Sequence, residues 1–148
     1  MAGLEETRVR VTYEAAIYRE QLNMLRREME RISLTSLDLS NAASAVEALN
    51  TKEVLLPVGG GAYVKAKISS TDVLVPIGAE FVVETDKDSA MVELKRRSEA
   101  TRQAVTKLNE EFEKINKKLR EVMGQLQEIE NQGALNKRVD EGLKEDYI

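Results

Sequence analysis

The sequence predicts an α+β protein in which a long antiparallel two-helix coiled coil carries two tandem β-hairpins between its helices. Residues 1–53 and 86–148 repeat apolar side chains three and four residues apart, the pattern of a coiled-coil seam. Residues 54–85 contain apolar runs separated by glycine turns, as β-hairpins do. Charged residues make up 32% of the chain and aromatic residues only 4%, which favours long solvated helices. We expect these three segments to form one structural unit.

Composition excludes several classes of function. The 148 residues include no cysteine and no histidine, so thiolate chemistry, disulfides and the commonest general base and metal ligand are absent. Adjacent acidic pairs such as Glu110 and Glu111 do not face each other on a helix. We therefore expect no enzyme activity and no catalytic, cofactor or metal site.

Charge and hydropathy bear on partners and location. The net charge of -4 argues against nucleic acid as a partner. No apolar run approaches the roughly 18 residues that cross a membrane, and the N-terminus lacks the pattern of a signal peptide. The sequence thus predicts a cytoplasmic protein with no membrane partner.

The first helix is predicted from one uninterrupted stripe within residues 1–53. No proline or glycine falls between residues 4 and 53. Because so narrow an apolar stripe is not stable in an isolated helix, it requires a partner helix. The predicted seam residues are Val11, Ala15, Tyr18, Leu22, Leu25, Met29, Ile32, Ser36, Leu39, Ala43, Val46 and Asn50.

The hairpin segment is an internal repeat. Residues 55–59 align with residues 74–78, and Pro57 and Pro76 occupy the same place in each half. Two-stranded hairpins leave strand edges and apolar faces that need a cover. The chain's own helices could supply this cover, but other subunits are the better candidate, so we expect the hairpins to assemble between subunits. The residues expected at the assembly surface are Leu56, Val58, Val64, Ala66, Ile68, Val73, Val75, Ile77, Phe81 and Val83.

The glycine run Gly59–Gly61 has a second possible interpretation as a phosphate-binding loop. A strand follows it rather than the start of a helix, and the Gly-Lys-Ser/Thr signature is absent. The permissive backbone of glycine explains the run as a turn, which is the interpretation we adopt.

The second helix is predicted to start near residue 87, with Thr85 or Asp86 as its N-cap. Antiparallel pairing places Ser36 opposite Ser98 and Thr101, a polar layer that would set the register. The predicted seam residues are Met91, Leu94, Ser98, Thr101, Val105, Leu108, Phe112, Ile115, Leu119, Val122, Leu126 and Ile129.

The seam pattern fails after Ile129, and Gly133 and Gly142 lower helix propensity, so we expect a frayed tail. Apolar residues from both termini would meet at the end of the coil farthest from the hairpins. They represent either scattered surface apolarity or a surface that binds another apolar chain. These residues are Leu4, Val9, Tyr13, Ile17, Leu135, Val139, Leu143, Tyr147 and Ile148.

This organisation resembles prefoldin, specifically its archaeal-type α subunit. Residues 55–59 followed by 62–66 are similar to the first hairpin of the family. Residues 73–78 followed by 81–85 are similar to the second hairpin. The presence of two hairpins, rather than one, distinguishes the α-type from the β-type subunit.

The resemblance implies a hexamer of two α-type and four β-type subunits whose hairpins close a double β-barrel. It implies an ATP-independent holdase that binds unfolded polypeptides at the coil ends and delivers them to a group II chaperonin. No cofactor is implied. The alternative is a structural subunit that forms filaments through its hairpins.

Overall fold

The computed structural model describes residues 2–50 and 52–146 and has the predicted α+β fold. Two antiparallel hairpins, β1 with β2 and β3 with β4, lie between two long helices in the order of the chain. The elements are α1 (Ala2–Glu47), β1 (Glu53–Gly59), β2 (Ala62–Lys67), β3 (Val73–Gly78), β4 (Phe81–Thr85) and α2 (Lys87–Glu145).

The chain forms two compact units. One unit, here called the coil-end unit, comprises Met1–Glu30 and Thr106–Ile148. The other, the hairpin unit, comprises Arg31–Val105 and therefore contains all four strands. Both helices contribute to each unit, and each unit has its own apolar core.

The predicted seam is confirmed in both helices. All of its residues are buried or half-buried except Asn50, which lies beyond the end of α1. In the coil-end unit, Val11 and Ala15 of α1 form a buried cluster with Val122 of α2. In the hairpin unit, Val46 of α1 clusters with Ala90 and Leu94 of α2. Apolar burial along this seam is therefore what joins the two helices within each unit.

Two contacts made by arginines of α1 show the antiparallel direction of the helices in the coil-end unit. The Arg19 guanidinium lies 3.2 Å from the sulfur of Met123. Further along α1, the guanidinium of Arg26 lies 5.9 Å from the centre of the Phe112 ring, which is within cation–π range. Residues later in α1 thus contact residues earlier in α2, as expected for antiparallel helices.

The two hairpins share one geometry. Leu56 pairs with Val64 in the first, and Val75 pairs with Val83 in the second. Each has a register shift just before its turn, at Gly59 or Gly78, where φ is 100° or 116°. The internal repeat therefore continues through the turns without a gap.

The second turn adopts left-handed backbone at two residues that are not glycine. Ala79 and Glu80 have φ values of 47° and 64°, and glycines occupy the corresponding places in the first turn. Both central residues of a type I′ hairpin turn require positive φ. The first hairpin meets this requirement at lower steric cost than the second.

Capping interactions join the helices at the base of the hairpins. The Asp86 carboxylate accepts a hydrogen bond from the backbone N–H of Ser89 at 2.7 Å, which confirms Asp86 as the N-cap of α2. The Lys87 ammonium donates to the carbonyls of Glu47 and Leu49 at 2.8 and 3.1 Å. It thereby satisfies carbonyls at the C-terminus of α1, which ends before the expected boundary at residue 53.

The tail of α2 differs from the expected frayed end. The helix continues past Gly133 and Gly142 to Glu145, and residues 134–146 are exposed along this stretch. Each glycine costs only about 1 kcal/mol of helix propensity relative to alanine. The leucine, lysine, arginine and glutamate residues around them favour a helix, so the backbone stays helical to Glu145.

Two leucines of α1 allow a matched test of the seam. Leu22 is 7% exposed and Leu37 is 57% exposed. We expect Leu22→Ala to lower the free energy of unfolding by about 2–5 kcal/mol, because it leaves a cavity in the seam. Leu37→Ala should change it by less than about 0.5 kcal/mol. Urea unfolding of the full chain followed by circular dichroism measures both, and equal losses would contradict the assigned seam.

Candidate interaction surfaces

The hairpins expose most of the apolar side chains predicted for assembly. Phe81 is the most solvent-exposed of them, at 69% exposure. Ala66, Ile68 and Val73 are half-buried. Such an exposed apolar surface is characteristic of a binding interface. The exposed predicted residues are Leu56, Val58, Val64, Ile77, Phe81 and Val83.

Val75 has a different environment from the rest of the predicted set. It is only 5% exposed and packs in the cluster formed by Val46, Ala90 and Leu94. Val73 also packs against this cluster. The strand face that carries Val75 therefore turns toward the helices of the same chain, so Val75 belongs to the chain's own core rather than to an exposed assembly surface.

The opposite face of the second hairpin was not part of the sequence prediction. Its residues Leu74 and Val82 are 68% and 54% exposed. Leu74 lies between the inward-facing Val73 and Val75, and Val82 of β4 pairs with Pro76 on the same face as Leu74, because successive strand residues point to opposite faces. The available signal was the unbroken apolar run Val73–Val75, since such runs occur in strands that are covered on both faces.

A polar contact adds to the packing of the second hairpin on α2. The Arg97 guanidinium donates a hydrogen bond to the backbone carbonyl of Pro76 in β3. The same guanidinium donates to the Glu93 carboxylate at 2.9 Å, and Arg96 donates to that carboxylate at 2.7 and 2.9 Å. Hydrogen bonds from Arg96 and Arg97 lower the pKa of Glu93 to about 2. Glu93 is therefore ionised at neutral pH and orients Arg97 toward the strand.

The coil-end unit has an exposed apolar stripe on α1. Val9, Tyr13 and Ile17 are spaced four residues apart and are 61%, 70% and 40% exposed. Met24, two helical turns beyond Ile17, extends the stripe and was not predicted, because the predicted exposed residues lie near the termini. We call Val9, Tyr13, Ile17 and Met24 the outer stripe. It lies on a different side of α1 from the buried Val11 and Ala15.

A shallow depression of about 350 Å³ lies between the ends of the two helices in the coil-end unit. Leu4 of α1 and Ile129 of α2 contribute its apolar lining. An ion pair of 3.1 Å between Arg8 and Glu5 lies at its edge. The structure thus places Leu4 in a half-buried position between the helices, unlike the members of the outer stripe.

The tail of α2 exposes the other predicted residues of the coil end. Leu135, Val139 and Leu143 follow each other at four-residue intervals and are all more than half exposed. They form a second exposed apolar stripe, on the tail of α2. Tyr147 and Ile148 lie outside the described residues.

Residues 2–50 and 52–146 contain no helix that is long and apolar enough to cross a membrane. Those residues also contain no cluster of three or more acidic side chains arranged to hold a metal ion.

Two long paired helices with two antiparallel β-hairpins between them along the chain define a class of subunit that can assemble through its strands. Comparison with known families identifies that class more closely. Residues 18–132 match the family model described as "Prefoldin subunit". The chain belongs to the prefoldin family, a family of chaperones whose subunits assemble with other prefoldin subunits.

Individual relatives agree with this assignment. Prefoldin subunit alpha of Methanococcus maripaludis is 28% identical over 100 residues, which cover 66% of this chain and 69% of that protein. Prefoldin subunit alpha of Thermofilum pendens is 27% identical over 124 residues, covering 80% of this chain and 96% of that protein. The predicted similarity to archaeal α-type subunits is confirmed.

A solved structure confirms the fold. A cryo-EM structure of filamentous PFD from Methanocaldococcus jannaschii aligns with a TM-score of 0.64 and 21% identity. The alignment covers 76% of this chain and 97% of that one.

The pKa of Glu93 leads to a prediction about acid stability. Because its folded-state value of about 2 lies below the ordinary value of 4.5, ionised Glu93 stabilises the fold above pH 4.5. This contribution is lost as the pH falls from about 4.5 to about 2. Glu93→Gln should therefore make the free energy of unfolding less dependent on pH in this window. Urea titrations at several pH values measure the slopes, and identical slopes would contradict the ion pair.

Proposed function

We propose that this chain is the α-type subunit of a prefoldin hexamer with two α-type and four β-type subunits. The hexamer holds unfolded polypeptides at its coil ends without ATP, in the cytoplasm, and delivers them to a group II chaperonin. Family membership supports the chaperone class. The main observation in support of the holdase mechanism is the exposed outer stripe of the coil-end unit.

The outer stripe offers chemistry suited to unfolded chains. Its four apolar side chains lie along one helix face and are exposed to solvent. Leu135, Val139 and Leu143 add a second exposed stripe on α2. An unfolded polypeptide exposes apolar segments of many sequences, and burial of apolar surface is non-directional. These stripes can therefore bind many different segments.

Weak binding at one coil becomes effective when several coils act together. A polypeptide bound to one coil end meets the next at a raised effective concentration, so avidity exceeds the affinity of any single site. Release then requires no chemical step, because each individual contact is weak. This mechanism needs no catalytic group and no nucleotide.

A second candidate is a structural subunit that forms filaments through its hairpins. The exposed hairpin surface supports it, as does the resemblance of the fold to the structure titled filamentous PFD. The two candidates differ in assembly size. A filament former grows without limit in the absence of a partner, whereas a hexamer subunit forms a complex of fixed mass only with β-type subunits. Static light scattering of the chain with and without its partner distinguishes them.

The holdase proposal is tested by diluting a chemically unfolded protein into buffer that contains the assembled hexamer and no ATP. We expect near-stoichiometric hexamer to suppress light scattering. The double variant Val9→Ser with Tyr13→Ser should require about tenfold more hexamer for the same suppression, because it removes apolar area from every α-type coil end. Unchanged suppression by the variant would contradict the role of the outer stripe.

A matched control is available on α2. Val92 is 69% exposed but lies in the hairpin unit, so Val92→Ser removes a similar side chain away from the coil end. It should leave suppression unchanged. Removal of residues 1–10 and 135–148 should abolish suppression while the hexamer stays intact by size-exclusion chromatography. Loss of the hexamer instead would contradict the assignment of these residues to polypeptide binding.

A further inference from the structure

Methionine is the residue of this chain most open to oxidation by peroxides. The sequence contains no cysteine, histidine or tryptophan, but it contains five methionines. A methionine thioether is oxidised to a sulfoxide, which replaces an apolar group by a polar one. Because the oxidant arrives from solvent, exposure decides which methionines react first.

The methionines of the described residues fall into two classes of exposure. Met29 and Met91 are half-buried members of the seam, and Met91 packs against the core of the hairpin unit. Met24 and Met123 are 60% and 38% exposed. A peroxide should therefore react with Met24 and Met123 before it reaches the two seam methionines.

Met123 differs from Met24 in the group that its sulfur contacts. The Arg19 guanidinium of α1 donates a hydrogen bond to the Met123 sulfur of α2 at 3.2 Å. Within residues 2–50 and 52–146, the sulfur of Met24 has no such donor. Arg19 and Met123 both belong to the coil-end unit but to different helices. A chemical change at the Met123 sulfur therefore acts on the pairing of α1 with α2.

The Arg19 guanidinium is a stronger donor than this contact requires. A guanidinium carries five N–H donors and a permanent positive charge, whereas a thioether sulfur is a weak acceptor. Hydrogen bonds from a charged donor gain strength when the acceptor is an oxygen with negative charge density, as in a sulfoxide. Oxidation of Met123 thus creates a strong acceptor beside a donor that is already in position.

We propose that Met123 is an oxidation site for peroxides, and that Arg19 binds the resulting sulfoxide, so that oxidation strengthens the contact between α1 and α2. In the reaction the sulfur lone pair attacks one oxygen of hydrogen peroxide, and the O–O bond breaks as the S–O bond forms. The proton on the transferred oxygen moves to the leaving oxygen, which departs as water. Sulfur loses two electrons, which reduce the peroxide. Arg19 takes no part in the transfer and acts afterwards, as hydrogen-bond donor to the sulfoxide.

The expected effect has the opposite sign to that of oxidation in a protein core. A buried methionine sulfoxide disrupts packing, because its polar oxygen is removed from water. Met123 is exposed, and the Arg19 side chain that faces it is exposed as well, so both can shift to accommodate the added oxygen. Water competes for both groups at such a site, which keeps the gain modest. The inference concerns the coil itself and does not depend on the holdase proposal.

The site of oxidation is tested by treating the full chain with limiting hydrogen peroxide and locating the added oxygen by peptide mass spectrometry. Met24 and Met123 should oxidise at least about fivefold faster than Met29 and Met91, because they are more exposed. A Met123 that oxidises no faster than the seam methionines would overturn the assignment of this site.

The effect on helix pairing is tested by amide hydrogen exchange before and after this treatment. The variant Met24→Leu leaves Met123 as the exposed sulfur among the described residues. In this variant, oxidation should slow exchange about threefold in the helix peptides around Arg19 and Met123, because opening of the helices breaks the new hydrogen bond. Peptides of the hairpin unit serve as internal reference and should not change. Unchanged or faster exchange around Arg19 after oxidation would overturn the inference.

Two further variants, each combined with Met24→Leu, separate the Arg19 contact from a general effect of oxidation. Arg19→Ala keeps the Met123 sulfur but removes the donor, so oxidation should no longer slow exchange. Arg27→Ala, the matched control at another exposed arginine of α1, should retain the slowing. As a last comparison, Met123→Leu alone leaves Met24 as the exposed sulfur and should show no slowing. Equal responses of the Arg19 and Arg27 variants to oxidation, or slowing in Met123→Leu, would contradict the role of Arg19.

Discussion

Burial of the apolar seam between α1 and α2 is the interaction on which the rest of the structure depends. Neither helix could remain stable with such a stripe exposed to water, and their pairing gives each unit its core. In the hairpin unit the seam does more than join helices. Val46, Ala90 and Leu94 also bury Val75, so the core that closes the coil holds the second hairpin as well.

The hairpins show how one repeated sequence can take two structural roles. Each has the same pairing and a glycine bulge before the turn. A two-stranded hairpin is at most marginally stable in water, so each must find cover. The second obtains part of its cover from its own helices, whereas no residue of β1 or β2 belongs to a core cluster of the described chain. This asymmetry suits a subunit whose fold is completed by assembly.

Local periodicity explains how much could be predicted. The three-and-four spacing of the seam identified both helices, and alternation around glycines identified the hairpins, because both patterns depend on neighbours along the chain. The structure of the α2 tail beyond Ile129 was harder to predict. Its lack of a seam predicted fraying, but the helix reaches Glu145 because the absence of a packing partner does not remove intrinsic helix propensity. Met24 was not predicted because the predicted exposed apolar residues were confined to the stretches near the termini.

The sequence by itself determined the elements, their order, the antiparallel pairing and the membership of the seam, since each follows from spacing and turn chemistry. Only the tertiary structure decided which face of the second hairpin turns inward. Val73–Val75 is apolar at every position, so either face could have been buried by sequence criteria alone. The choice depends on packing against Ala90 and Leu94 and on the reach of Arg97 to the Pro76 carbonyl. Such contacts join residues of different elements and leave no local pattern in the sequence.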